Sequence, residues 1–297
     1  MKLTILGSSC MIPTKKRNHS AYFLTYKNEG ILFDCGEGTQ RQFKFANIKP
    51  TKITKLIISH WHGDHVLGIP GLLETLSASE YSKTLEIYGP PETLKKIKLL
   101  NKVFESYKNI KYKIIEIKKE GLFFENETFK LEAYKLDHSI ISFGFRFIEK
   151  DKRRINMTKI KKYGLSEGPL LGRLQKGENI KFNQKIIQSN DVTNVIKGKI
   201  FSYISDTAFC NNCLVVAKNS DLLLCESTYL SSEIKKAKEY KHLTSKEAGF
   251  IAKETKCKKL ILTHFSQRYK NNLKLLKDAK NEFENVICAK DLLSIKI

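Results

Sequence analysis

The chain of 297 residues has no apolar run of membrane-spanning length, so no stretch of it reads as a bilayer helix. Its start, Met1-Lys2-Leu3-Thr4-Ile5-Leu6-Gly7, is too short and lacks the small-residue cleavage pattern of an export signal; it is expected to form a first strand. The seven cysteines, at 10, 35, 210, 213, 225, 257 and 288, are odd in number and scattered, which argues against a disulfide framework and leaves them expected to be reduced. These absences together point to a cytoplasmic protein with no membrane partner. Internal repeats and long linkers are missing too, and with a hydrophobic fraction of 41% the length suffices for one large domain or two small ones.

Acidic residues are scarce. Thirty-one Asp and Glu against 53 Lys and Arg leave a net charge of +22 and an isoelectric point near 9.6. Such a surplus favours polyanions, nucleic acid foremost, through counterion release; a lysine-rich proteome would produce the same balance. Between Asp151 and Ile200, twelve Lys or Arg face four Asp or Glu, a local net of +8. Periodicity weakens there and Gly and Asn recur, so residues 151–200 read as an inserted, partly irregular basic arm that clamps a polyanion. Gly168-Pro169-Leu170-Leu171-Gly172-Arg173 is expected to make its compact tip.

Against this background stands one dense cluster, His60-Trp61-His62-Gly63-Asp64-His65, holding three of the seven histidines. Lys55-Leu56-Ile57-Ile58 before it reads as a short buried strand, so the cluster begins where a strand ends, which is where α/β proteins place chemistry. The spacing lets His60 and His62 converge on one ion while Asp64 and His65, past the turn that Gly63 allows, address a second. Imidazole mixed with carboxylate suits zinc better than manganese or iron and leaves room for a bound water.

Further candidates also fall at predicted strand ends: His138 after Phe129–Lys135, Asp206 after Ile200–Ser205, Glu226 within Leu222–Thr228, and His264 after Lys259–Thr263. Strand ends on one edge of a sheet lie near each other, so these residues can share a site. Asp34, ending the strand that starts at Ile31, is read as a partner that holds a ligating imidazole. The loop Pro13-Thr14-Lys15-Lys16-Arg17-Asn18 lies between two strands, from which Lys15 and Arg17 are expected to reach a phosphate or a base edge. His19, next to it, is read as structural. Cys210-Asn211-Asn212-Cys213 lacks the second pair of a zinc ribbon and is set aside as neither a redox nor a metal site.

The series His-x-His-x-Asp-His followed by a His, an Asp and a last His resembles the metallo-β-lactamase superfamily over nearly the whole chain. Within it the chain resembles the ribonuclease Z family, whose PxKxRN loop is matched by Pro13–Asn18 and whose Gly-Pro arm tip is matched by Gly168–Arg173. Cys225-Glu226-Ser227-Thr228 and His242-Leu243-Thr244 resemble that family's HEAT and HST motifs, with Cys for His and Leu for Ser. The resemblance implies an α/β fold, a single domain over residues 1–297 built as a four-layer αββα sandwich with a protruding flexible arm. It implies two zinc ions per subunit, one on His60, His62 and His138, the other on Asp64, His65 and His264, with Asp206 bridging. It further implies a zinc-dependent endoribonuclease that cuts the 3′ trailer from precursor tRNA, with Asp64, Glu226 and His242 catalytic. Lys15, Arg17, Asn18, Gly168, Pro169 and Arg173 would contact the RNA, in a homodimer. The alternative is a hydrolase of small phosphodiesters or other small esters on the same fold.

Overall fold

The structure is a computed structural model that describes residues 1–104 and 110–297. The first six strands are β1 (Lys2–Gly7), β2 (Ala21–Tyr26), β3 (Glu29–Phe33), β4 (Lys55–Ile57), β5 (Leu85–Gly89) and β6 (Tyr112–Glu116). Runs such as Ala-Tyr-Phe-Leu and Ile-Leu-Phe are buried on both sides, as strands covered on both faces must be. Phe23, Leu32, Leu56 and Ile87 join Phe43, Ile69, Leu72 and Ile97 of the helices Thr39–Phe45, Ile69–Ala78 and Thr93–Val103 in one apolar cluster. The neighbouring residues Tyr22 and Phe33 point the other way, as the two-residue period of a strand requires. They meet Tyr203 at 5.0 Å and Phe201 at 5.6 Å between ring centroids.

Tyr203 and Phe201 belong to the second sheet. Its strands begin with β7 (Gly121–Glu125), β8 (Phe129–Leu136) and β9 (Ser142–Glu149). Four short strands follow outside it: β10 (Lys152–Ile155), β11 (Ile180–Phe182), β12 (Lys185–Ile187) and β13 (Thr193–Ile196). The chain then resumes the sheet with β14 (Ile200–Ile204), β15 (Leu222–Glu226), β16 (Leu260–Thr263) and β17 (Val286–Cys288), and ends in β18 (Ser294–Lys296). The first sheet runs β18-β1-β2-β3-β4-β5-β6 and the second β17-β16-β15-β14-β9-β8-β7. β3 to β6 are parallel, and so are β14 to β17. The helices Asn211–Ala217, Ser245–Glu254 and Leu273–Lys280 lie against the second sheet, completing the αββα layers. Truncating an aromatic of the central layer, Phe33→Ala for example, is expected to cost about 3–5 kcal/mol of stability.

Residues 125–130 and 148–199 form a compact unit of their own. Its texture is more regular than the weak periodicity suggests. β10 pairs with β13 and β11 with β12, both antiparallel, and Ile160, Leu165, Leu174, Ile180, Ile187 and Val192 make a small core. The helix Thr93–Val103 begins only after Glu92, which takes a left-handed conformation, φ +70°. Among the described residues, no helix is long and apolar enough to cross a membrane.

Parallel strands end on one edge, and that edge collects the chemistry. Asp34 follows β3, His60 lies just past β4, Asp206 just past β14, Glu226 ends β15 and His264 follows β16.

Candidate metal centre

Past β4 the chain runs through His60 and His62 and turns at Gly63 into the short helix Gly63–Val66, with His62 as its cap. This turn separates the cluster into two groups. In one, His62 Nδ1 lies 3.1 Å from His60 Nε2 and 3.2 Å from His138 Nε2, and Asp206 Oδ2 lies 3.6 and 4.0 Å from those two Nε2 atoms. In the other, His65 Nε2 lies 3.3 Å from His264 Nε2, with Asp64 Oδ2 at 3.5 and 3.4 Å from them. Asp206 Oδ1 completes that group at 3.5 Å from His65 Nε2 and 3.2 Å from His264 Nε2. Asp206 therefore offers one oxygen to each group.

Each ring is held from behind. His65 Nδ1 donates to Asp34 Oδ2 at 2.8 Å, and His138 Nδ1 donates to the Lys241 carbonyl at 3.0 Å. Ser59 Oγ donates to Asp34 Oδ2, so it must accept from His60 Nδ1 at 2.9 Å. By the same logic Thr228 Oγ1, donating to Glu226 Oε2 at 2.7 Å, accepts from His264 Nδ1 at 2.9 Å. With their Nδ1 protons committed outward, these four imidazoles present bare Nε2 lone pairs inward. Asp34 is itself fixed by the Ser59 N–H and the Tyr203 hydroxyl, at 2.8 and 2.7 Å.

Bare nitrogens that face one another need a cation between them. Burial pushes the imidazoles of His60, His62 and His138 down, and the neighbouring rings push His60 and His62 further, toward the neutral form that ligates. Burial also opposes charge on Asp64 and Asp206, yet His65 and His264 outweigh it and hold both carboxyls well below the usual range. For His65, burial is likewise outweighed by Asp206, Asp64 and Asp34, which hold its ring well above the ordinary value. Asp64 Oδ1 and Asp206 Oδ1 are buried without a hydrogen-bond partner. Ligands about 2.0–2.1 Å from a tetrahedral ion stand roughly 3.3–3.4 Å apart, close to most of the spacings found here. The donor set thus fits divalent metal, and each group brings four ligand atoms together.

Beside both groups stands His242, its ring 5.3 Å from that of His138 and 5.4 Å from that of His264. Its position two residues before a helix N-cap is fixed by that cap, Thr244, which closes a capping box with Glu247. His242 Nδ1 lies 2.9 Å from Glu226 Oε1. Glu226 is buried and also accepts from the Thr207 and Thr228 N–H groups. Burial would lower the pKa of His242, but the charge and hydrogen bond of Glu226 hold it up, at about 9. The ring lines an open cleft of about 300 Å³ with Met11, His62, Ser139 and Tyr240. Cys225 and Leu243, where the chain departs from the resembling motifs, are fully buried.

The expected RNA-contacting residues divide. Lys15 is exposed, as is Lys16. The Arg17 guanidinium turns inward instead, bonded to Asn272 Oδ1 and to the Ser266 and Tyr269 carbonyls at 2.9, 3.3 and 2.9 Å, because these acceptors surround it. Asn18 donates from its side chain to the Glu37 carbonyl and from its backbone to Asp291. His19 is buried, with Nε2 3.0 Å from the Met11 carbonyl. In the basic segment, Pro169 opens a helix directly after Gly168, and Arg173 pairs with Glu178 at 2.8 Å. Sequence reading names Asp34 as an orienting residue but passes over Ser59, Tyr203, Ser205, whose hydroxyl donates to Ser59 Oγ at 2.9 Å, and the Lys241 carbonyl. Only their adjacency to strand ends could have flagged the first three.

Residues 14–139 match the metallo-beta-lactamase superfamily. Ribonuclease Z of Protochlamydia amoebophila is 41% identical to the chain, covering 98% of it and 95% of that protein. Ribonuclease Z of Bacillus thuringiensis is 36% identical and covers 100% of the chain and 99% of that protein. The crystal structure of the short form of human tRNase Z superposes with a TM-score of 0.74 at 28% identity, over 100% of this chain and 99% of that one. With full-length identity of this order on top of the shared fold, the chain belongs to the ribonuclease Z family of metallo-β-lactamase-fold enzymes.

Proposed function

We propose that the protein is a zinc-dependent endoribonuclease that removes the 3′ trailer from precursor tRNA after the discriminator base. The observation that carries this reading is the carboxylate-backed His242 at the mouth of a cleft shared with both ligand groups. His60, His62, His138 and Asp206 would hold one zinc, and Asp64, His65, His264 and Asp206 the other. Bound there, the ions supply Lewis acidity toward a scissile phosphate and toward water. Asp64, whose Oδ1 lacks a protein donor, orients the attacking water by accepting a hydrogen bond from it. His242, whose ring Glu226 holds above its ordinary pKa, donates a proton to the departing ribose 3′-oxygen, while Glu226 steadies the ring through the transfer. The products are a 3′-hydroxyl on the tRNA and a 5′-phosphate on the trailer.

Recognition follows from charge and from open backbone. Lys15, Lys16, Lys270 and Lys290 line a second cleft of about 580 Å³, a row of cations for RNA phosphates, while Arg17 and Asn18 shape the loop that presents it. A side chain added at Gly168 or Gly172 would meet nothing within 4 Å, and neither glycine has a left-handed φ. Gly172 nonetheless sits inside a helix, where Gly costs about 1 kcal/mol relative to Ala. Close approach by an RNA backbone accounts for both glycines, with Pro169 and Arg173 beside them, and makes residues 151–200 an RNA-binding arm. Pairing of two copies, each arm serving the other's site, belongs to the same proposal; light scattering should return the mass of two chains, and the mass of one chain would refute the pairing.

The test is cleavage of a precursor tRNA by purified zinc-loaded protein, with the ends mapped. Cutting after the discriminator base, lost in His242→Ala while zinc content is kept, is the expected result. A zinc-replete protein that leaves trailer-bearing precursors intact refutes the proposal.

A further inference from the structure

The Cys210–Cys213 pair has no part in this chemistry, yet its geometry is that of a reactive dithiol. Cys210 caps the helix Asn211–Ala217, and the Cys213 N–H donates to the Cys210 carbonyl at 3.0 Å, closing a turn. The two Sγ atoms lie 3.7 Å apart. A turn of this kind holds its end Cα atoms within about 7 Å, and a disulfide asks for about 4.4–6.8 Å. Side-chain rotation is thus enough to bring the sulfurs to bonding distance. Access is graded: Cys210 is partly exposed, whereas Cys213 is fully buried.

The remaining cysteines offer no competition. Burial pushes the thiols of Cys10, Cys35 and Cys288 up to about 12 and that of Cys257 to about 11, and it raises Cys225 well above the ordinary value. At Cys210 the hydrogen bond from the Cys213 thiol, aided by the Asp137 backbone, overcomes burial and brings the thiol down to about 5. A thiolate that is both populated at neutral pH and reachable is the one that reacts.

We propose that Cys210 and Cys213 form a thiol–disulfide exchange site that closes to an intramolecular disulfide on meeting a small-molecule disulfide such as oxidised glutathione, and that closure slows the neighbouring active site. The Cys210 thiolate attacks one sulfur of the small disulfide, forming a mixed disulfide and expelling one small thiolate. Cys213 then gives up its proton and attacks the Cys210 sulfur, expelling the second. Two protein thiols are oxidised, and one small disulfide is reduced to two thiols. Closure reaches the site through Thr207, whose Oγ1 is 3.9 Å from Cys210 Sγ. Thr207 follows Asp206, donates its N–H to Glu226 Oε1 at 2.9 Å, and accepts from the N–H of Asp137, the residue before His138, at 3.0 Å.

The experiment uses the full chain with its metal, incubated with oxidised glutathione and analysed by peptide mass spectrometry. A loss of two hydrogens confined to the peptide holding Cys210 and Cys213 is expected. Cys213→Ser should stop at a glutathione adduct on Cys210, and Cys210→Ser should take neither. Modification of another cysteine first, or no adduct in Cys213→Ser, overturns the exchange site whether or not the proposed RNA reaction holds. The slowing alone rests on that reaction: RNA cleavage should fall roughly tenfold on closure, inside the hundredfold that a displacement of about 1 Å can cost. It should recover with dithiothreitol and stay constant in Cys210→Ser. Unchanged turnover after complete closure overturns the link to the active site.

Discussion

The two ligand groups share Asp206 but differ in how they are backed. His60, His62, His138 and Asp206 include one partly exposed ring, and only His60 has a carboxylate behind it, Asp34 through Ser59; the supports of the other two rings are neutral, the Lys241 carbonyl and a Ser139 hydroxyl 3.5 Å from His62 Nε2. Asp64, His65, His264 and Asp206 are all buried, and a carboxylate stands behind each ring, Asp34 directly and Glu226 through Thr228. A carboxylate makes the ring it holds a more basic ligand than a neutral dipole does. The buried group should therefore bind metal more tightly, and the shallower one should exchange it.

Exhaustive chelation breaks the comparison most severely. RNA cleavage should fall to background, and bound metal should leave in two steps, measured by mass spectrometry of the native protein. His62→Ala should hasten the first step only; a single concerted step would erase the distinction. Asp206→Asn should come next, weakening both groups together and lowering turnover by about a hundred- to a thousandfold, the scale of losing a main electrostatic contributor. Asp34→Ala should weaken metal binding about 10–100-fold, the usual cost of losing such a partner. Ser59→Ala should cost less in a competition titration, and the reverse order would refute the ranking. Ser139→Ala, at the longest contact of the set, should change stability by less than about 0.5 kcal/mol in chemical denaturation.

The same contrast explains what could be read without coordinates. His60 to His65 are legible because four ligating side chains crowd six positions, and His138, Asp206 and His264 because each ends a run of apolar residues. The hydroxyls behind them are not, since a serine or threonine at a strand end is common and a backbone carbonyl such as that of Lys241 leaves no mark in sequence. The fold is legible where strands are long or apolar. It fails in residues 148–199, where strands of three or four residues are too short to show a period of two. Arg17 shows a different limit: its charge is visible in sequence, but not the three acceptors, from Ser266 to Asn272, that turn it inward.

Two residues on the site's edge, Asp34 after β3 and His264 after β16, carry left-handed backbone, with φ of +56° and +59°. Aspartate tolerates that conformation better than most residues and histidine occupies it less often, while alanine, lacking a polar side chain to bond locally, does so at a cost. The choice of replacement at position 264 consequently matters to anyone dissecting the enzyme. His264→Ala changes the ligand and the local chain geometry at once. His264→Asn or His264→Gly keeps the turn and removes the imidazole, so the difference between those variants and the alanine one separates lost coordination from a strained turn.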